Sequence, residues 1–342
     1  GHIVKMDEEQ CFWHFVQVRF GSTTDITCPH CASVNKHYFR KNQRRWTCKD
    51  CFFVFSSTSG TIFHGRKLSF QTLLMGIAMF ISSANGCPAL RLQRDLDVQA
   101  KTAFVFAHKL REAIQLIHHA PVMSGIVELD GGHFGGRPRH NRVRRRSTNA
   151  AIASRVQEQL KAQNEGRKSP KAGRTKANIK RFKNRRIVFN IRQHSDKSKF
   201  GAIHTYVTVL RAETAEEVRS SILKMVAPGS TIRTDENSAY TWLESAGYKH
   251  ETVNHQIEFS TIDGVNENQA ESFFSRLRRF VLGGSLRIVP TYMHDYATEM
   301  AWREDWRRKT EGQKNNALTA GLLLQHHSKW RGYFQSNAEV NQ

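Results

Sequence analysis

The sequence predicts a multi-domain α+β protein, with a four-cysteine ribbon first, a helical segment next and then an α/β unit built on a mixed sheet. Three observations carry this expectation. Two C-x-x-C pairs fall in the first 51 residues, residues 69 to about 120 keep a helical apolar period, and from Gly125 onward β-rich runs alternate with helical ones. A chain of 342 residues with 39% hydrophobic content can fill at least one sizeable core and divide into two or three units.

Charge narrows the partner. The formal net charge is +22 and the pI near 10.1, so the simplest partner is a polyanion, and nucleic acid leads. No uninterrupted apolar run reaches the roughly 18 residues of a membrane span. The best stretch, Phe70 to Ile81, is short and has polar flanks. The first residues carry no signal-peptide pattern, which makes a cytoplasmic protein the expectation. Six cysteines in a chain this long do not suggest a disulfide framework, and in a reducing compartment paired C-x-x-C points to metal. Cys11 and Cys87 read as ordinary buried thiols.

The ribbon is the most specific local pattern. Cys28-x2-Cys31-x16-Cys48-x2-Cys51 gives two tight knuckles, each offering two thiolates to one side, and together they close a tetrahedron around one structural Zn²⁺. The runs HYFRK, RRWTC and FFVF are too short to bury a core without that metal. A redox C-x-x-C needs one pair on a βα unit, whereas here two pairs sit on hairpins. His30 and His37 are expected to face solvent or DNA, because four sulfurs fill the shell. Cys11 and His14 belong to an amphipathic N-terminal helix.

Residues 69 to about 120 contain an apolar helix, Phe70 to Ile81, and two more separated by turn signals. They read as a helix-turn-helix: Cys87 to Leu92 as first helix, Leu96-Asp97-Val98 as turn, and Gln99 to Leu110 as recognition helix, with Lys101 and Lys109 available to phosphates. A plain helical linker is the competing reading.

At Gly125 a strand begins, GIVELD, in which Ile126, Glu128 and Asp130 share one face and Val127 and Leu129 the other. The tract from Arg137 to Arg186 is loaded with Arg and Lys, including Arg144, Arg145 and Arg146, and reads as a mobile DNA clamp or a solvated insertion. Order resumes with Arg186 to Ile191 and His204 to Leu210 as strands, a helix from Ala215 to Val226, and a strand from Thr231 to Asp235. Tyr240 to Ala246 is a short helix and Thr252 to Asn254 a short strand. Asn266 opens an amphipathic helix carrying Phe273, Phe274, Leu277 and Val281.

Three acids stand out by position: Asp130 and Asp235 at strand ends, and Glu271 in the first turns of the following helix. This is the order used by an RNase H-like fold, whose mixed sheet sets two strand ends side by side and lays a helix across them. Carboxylates crowded in this way repel unless cations bridge them, and Mg²⁺ prefers hard oxygen ligands. Two such ions (Mg²⁺ or Mn²⁺) about 4 Å apart can activate an attacking oxygen and stabilise a leaving one. Asp130 would bridge both, with Asp235 and Glu271 each holding mainly one. Singly, Asp130 could be a turn residue and Asp235 a helix cap, and Glu267 is a rival third ligand.

These stretches resemble one family, the DDE transposases of bacterial insertion sequences, specifically insertion-sequence family 1595. The resemblance runs from the CPHC/CKDC ribbon through Ser82 to Ala113 to the core motifs VELDGGHFGG, RTDENSAY and NQAESFFSRLRR, with thirty-five residues between Asp235 and Glu271, and on to YATEMAWR. It implies that Asp130, Asp235 and Glu271 are the catalytic acids and that Arg278 is the basic residue two helical turns after the Glu. The family usually has Lys at that position, and Arg brings a forked geometry. It commonly has an acid directly after the first Asp, where this chain has Gly131.

The resulting organisation is an N-terminal helix and zinc ribbon (1–64), a helix-turn-helix (65–120), an RNase H-like catalytic unit with its basic insertion (121–310, insertion 137–186), and a C-terminal tail (311–342). The resemblance implies double-stranded DNA as partner, a homodimer on DNA, and a bacterial, nucleoid-associated location. Arg276 and Arg279 join the candidate DNA contacts. A catalytically inactive zinc-ribbon regulator is the alternative reading. A tyrosine recombinase would have only Tyr292 and Tyr296 to offer.

Overall fold

The computed structural model describes residues 5–135, 157, 185–195, 201–253, 268–285, 288–331 and 334–335. The basic tract, with Arg144, Arg145 and Arg146, lies outside them apart from residues 157, 185 and 186, as does Glu267.

Helix α1 (Glu8–Phe20) starts where Asp7 and Gln10 cap each other reciprocally. Strands β1 (His37–Arg40), β2 (Arg45–Cys48) and β3 (Val54–Phe55) form a small antiparallel sheet in that order. Trp46 stacks between Phe12 of α1 at 5.7 Å and Phe55 at 5.8 Å, so the ribbon has an aromatic floor shared with the helix. The Ser69 hydroxyl accepts the Thr72 N–H at 3.0 Å and opens α2 (Phe70–Ser82). Glu8 takes two more of the unsatisfied N–H groups at that end, Phe70 at 3.0 Å and Gln71 at 2.8 Å, and ties α1 to α2.

Helices α3 (Ala89–Asp95) and α4 (Ala100–Ile117) follow, joined by a turn in which Asp97 takes a left-handed φ of 49°. Helix α4 runs seven residues past the expected Leu110 because its apolar stripe continues through Ala113 and Ile114. Much of it is buried, and Ala100 and Lys101 in its first turn are exposed.

The segment from residue 311, expected as a tail, differs from that expectation. Thr310 and Gln313 form a capping box, and α8 (Glu311–Leu322) buries Leu318 and Leu322 in the same apolar core as α1, α2, α4 and the ribbon.

The second unit is a five-stranded sheet of β4 (Ile126–Phe134), β5 (Arg186–His194), β6 (Ala202–Leu210), β7 (Thr231–Asp235) and β8 (Lys249–Val253), ordered β6-β5-β4-β7-β8. Its first three strands are antiparallel neighbours, while β7 lies parallel to both β4 and β8. Strand alternation divides the side chains between two cores. Val127, Leu129, Phe189 and Ile232 pack with Val218 and Ile222 of α5 (Ala215–Met225). Phe134, Val188 and Val207 pack with Phe273, Phe274 and Leu277 of α6 (Asn268–Phe280) and with Met300 of α7 (Met293–Asp305).

Helix α7 also locks the two units together. Arg111 of α4 donates to Glu299 at 2.8 Å, Arg303 donates to the same carboxylate at 2.9 Å, and Arg303 reaches the Phe80 carbonyl at 2.6 Å. Arg111 and Glu299 are both buried. No helix among the described residues is long and apolar enough to cross a membrane.

Candidate metal centre and active site

The two cysteine knuckles have the same local geometry. After each second cysteine one residue turns left-handed, Ala32 at φ 59° and Phe52 at φ 58°. Its N–H points back to the first cysteine's carbonyl, Ala32 to Cys28 at 2.9 Å and Phe52 to Cys48 at 3.1 Å. This turn aims both sulfurs of a pair to one side. The four sulfurs lie within 4.8 Å of one another, with Cys28 to Cys51 at 3.7 Å and Cys31 to Cys48 at 3.6 Å. Tetrahedral zinc with bonds of about 2.3 Å needs sulfurs about 3.8 Å apart, so the quartet fits one structural Zn²⁺. Burial opposes ionisation of Cys48, yet the backbone N–H groups of Cys51 and Asp50 bring its thiol down to about 6, while Cys51, despite the Phe53 N–H, is pushed up to about 12 by burial and the neighbouring sulfurs, so only a bound cation lets all four sulfurs be thiolates together. His30 stacks on Phe53 at 5.3 Å, and His37 donates to the Ile26 carbonyl at 2.9 Å, so His37 has an internal role where solvent or DNA was expected.

The acids come together through topology. On the parallel neighbours β4 and β7, Glu128 pairs with Arg233, and Asp130 and Asp235 each lie two residues beyond that pair. Helix α6 crosses the same face. It approaches closely because Gly132 leaves room: a Cβ there would stand 2.4 Å from the Phe274 ring. Glu271, in the first turn of α6, is exposed.

Burial is the largest influence on Asp130 and raises its carboxyl to about 7. The Gly131 N–H opposes the rise at 2.6 Å, while the charges of Asp235, Glu213 and Glu271 add to it. The oxygens of Asp130, Asp235 and Glu271 do not all fall within 4.8 Å of one another; among the described residues only the cysteine quartet meets that spacing.

The donor set nevertheless suits a hard divalent cation, because mutually repelling carboxylate oxygens, one of them held near neutrality by burial, are relieved by positive charge. Asn190, the cross-strand partner of Asp130, is fully buried with no hydrogen-bond partner for either amide atom. A buried amide left in that state is the kind of group that a cation or its water shell satisfies.

Two site neighbours escaped the sequence reading. Glu213, read as part of a helix cap, accepts the Tyr240 hydroxyl at 2.5 Å, and a Cβ on Gly131 would stand 2.2 Å from its carboxylate. Glu213 thus occupies the space that a side chain at position 131 would need. Burial pushes its carboxyl up, with Asp235 adding and Tyr240 opposing. Glu128, read only as a residue on the Asp130 face, is completely buried beneath α6. No short-range pattern marks either one.

Among the candidate DNA contacts, Arg278 and Arg279 are exposed on α6, with the Arg278 guanidinium 5.8 Å from the Phe274 ring. Arg276 differs: it is ion-paired with the buried Glu304. Lys101 is exposed, whereas burial lowers the Lys109 ammonium pKa. Both line a cleft of about 610 Å³ shared with residues 61–68 and Trp330. Tyr296 is buried beneath the Arg111 guanidinium, 4.0 Å away, and Tyr292 packs against Trp330 at 5.6 Å, so neither is set up as a nucleophile.

Comparison with known families bears on both units. Residues 6–52 match the transposase zinc-ribbon domain, and residues 158–305 match the ISXO2-like transposase domain; together they cover more than half of the chain. The second match contains Asp235, Glu271 and Arg278, and Asp130 lies ahead of it. No curated protein matches the chain. A zinc-ribbon transposase is the class that these two domains define. The chain belongs to the insertion-sequence 1595 family of DDE transposases.

Proposed function

We propose that the chain is an active DNA transposase, which binds the terminal inverted repeats of its element and cleaves and joins DNA strands at Asp130, Asp235 and Glu271. The observation that carries this reading is the placement of Asp130 and Asp235 each two residues past the Glu128–Arg233 pair on parallel central strands, with the Glu271 helix laid over the same face. Counted within the sheet, the strand order is 3-2-1-4-5 with one antiparallel meander and two parallel pairings, which supports an RNase H-like core.

Asp130, which feels the charges of both Asp235 and Glu271, would be the shared ligand of the cations, with Asp235 and Glu271 each holding mainly one. Divalent cations bound there supply Lewis acidity to both the attacking and the leaving oxygen of an in-line phosphoryl transfer. Arg278, exposed on the helix of Glu271, reaches DNA phosphate. The zinc ribbon, the exposed first turn of α4 at Lys101, Arg279 and the tract around Arg144, Arg145 and Arg146 bind the duplex. Two ends must be held together, so a homodimer on DNA is part of the reading. With a net charge of +22, affinity falls steeply with salt.

The test is cleavage and strand transfer on a DNA fragment carrying the element's own ends, with Mg²⁺ or Mn²⁺, comparing wild type with Asp235→Asn. Metal-dependent product that the variant lacks is the expected result. Specific end binding without product in either protein would favour the inactive regulator.

A further inference from the structure

We propose that Glu128 is a positioning residue that sets the third catalytic acid against the first; the inference rests on the reading of Asp130, Asp235 and Glu271 as the metal site. Glu128 lies two residues before Asp130 on β4 and is 0% exposed. One carboxylate oxygen accepts the Ala270 N–H at 2.8 Å, and the other pairs with the His194 ring. Ala270 immediately precedes Glu271.

The first turn of a helix has backbone N–H groups without intrahelical partners, and its dipole favours negative charge there. Caps of this kind usually come from the preceding few residues. Here the cap comes from a strand 142 residues earlier in the chain, the strand that also carries Asp130.

A second contact works beside it. Arg192, the cross-strand partner of Glu128, donates to the Gln269 carbonyl at 2.5 Å and to Glu304 at 3.2 Å. Gln269 in turn accepts the Ala202 N–H through its side chain at 3.1 Å. The two residues before Glu271 are therefore held by side chains and backbone from β4, β5 and β6.

Packing alone does not explain a carboxylate at this position. Burying a charge is costly unless it is paired and hydrogen-bonded, and an apolar residue would fill the space without that cost. The carboxylate couples the height and rotation of α6 to the strand of Asp130, so the spacing between Asp130 and Glu271 depends on it. Glu128 touches neither substrate nor metal in this role.

The test uses the full zinc-loaded chain and two variants, Glu128→Leu, which removes the acceptor, and Glu128→Gln, which keeps an oxygen for the Ala270 N–H. Mn²⁺ affinity is measured by titration calorimetry, and exchange of the Ala270 amide by hydrogen exchange. Outer-shell partners of metal ligands typically change affinity about 10–100-fold. The expected result is a loss of that size, with faster Ala270 exchange, in Glu128→Leu, and recovery of most of the affinity in Glu128→Gln. A folded Glu128→Leu protein that binds Mn²⁺ as tightly as wild type would overturn the proposal and leave the metal site standing. If Glu128→Leu does not fold, Glu128→Met, which keeps the length of the side chain and offers no oxygen to the Ala270 N–H, decides the matter: unchanged Mn²⁺ affinity and Ala270 exchange in it would overturn the proposal. Wild type that binds no Mn²⁺ would instead overturn the reading of the three acids, and the positioning role with it.

Discussion

The zinc ribbon and the acidic site are both built from side chains that would be unstable alone, yet they are assembled on opposite principles. The ribbon's four sulfurs come from 24 consecutive residues, and two identical left-handed turns aim them. The acidic site draws on β4, β7 and α6, which are brought together only when a five-stranded sheet has formed. Local construction makes the metal the folding determinant of the ribbon. Topological construction makes the sheet the determinant of the acidic site, so the cations of the proposed chemistry are not needed for its fold.

The largest expected effect separates the two regions directly. Structural zinc contributes on the order of 10 kcal/mol to small metal domains. Chelation, or Cys48→Ser, should unfold the ribbon and, through the core that Phe12, Trp46 and Phe55 share with Phe70, loosen the helical unit. The five-stranded sheet should survive, and a heat-capacity scan would then show one transition lost and one kept. A single transition lost as a whole would break the contrast.

The junction comes next. Glu299 is fully buried between Arg111 and Arg303, and removing one partner of such a pair costs about 3–5 kcal/mol. Glu299→Ala should lower the unfolding free energy measured in urea by that amount and separate the transitions of the two units, and an unchanged unfolding free energy would count against the junction.

A pH effect follows from the sheet side. Burial raises the carboxyls of both Asp305 and Asp130 to about 7, well above the roughly 3.9 of an unfolded Asp. The folded state then holds protons that the unfolded state has released, so metal-free stability falls as pH rises from about 4 to about 7. Asp305→Asn should remove one of the two contributions, at most about 4 kcal/mol. Urea unfolding at pH 5 and pH 7.5 checks it, and an unchanged pH slope would count against the burial.

The smallest expected effect concerns Gly131. A methyl group there meets the Glu213 carboxylate, so Gly131→Ala should break the Tyr240–Glu213 hydrogen bond at a cost of about 1–2 kcal/mol. The loss should shrink in a Tyr240→Phe background, and full additivity in the double variant would show that the two do not communicate.

The same contrast explains what the sequence could and could not reveal. Cysteine spacing is a local code and was legible, as were the strand end of Asp235 and the helix of Glu271; Asp130, expected at a strand end, lies instead in mid-strand, because β4 continues through Gly131 and Gly132 to Phe134 in pairing with β5. The helix after residue 311 was also legible in principle, since Thr310 and Gln313 spell a capping box, but a weakly apolar segment at the chain end read as a tail. Glu128 and Glu213 were not legible as site neighbours. Their partners lie 142 and 27 residues away, and what makes them important is the register of β4 with its neighbours and the height at which α6 crosses. A buried acid on a strand looks the same in sequence whether it caps a distant helix or faces water.

The measurement closest to the central claim is Mn²⁺ anomalous scattering from crystals of the zinc-loaded chain bound to end DNA. Anomalous density among the carboxylates of Asp130, Asp235 and Glu271, absent in Asp130→Asn, is the expected result. Manganese held by other acids, or none at this face while the zinc site is filled, would contradict it.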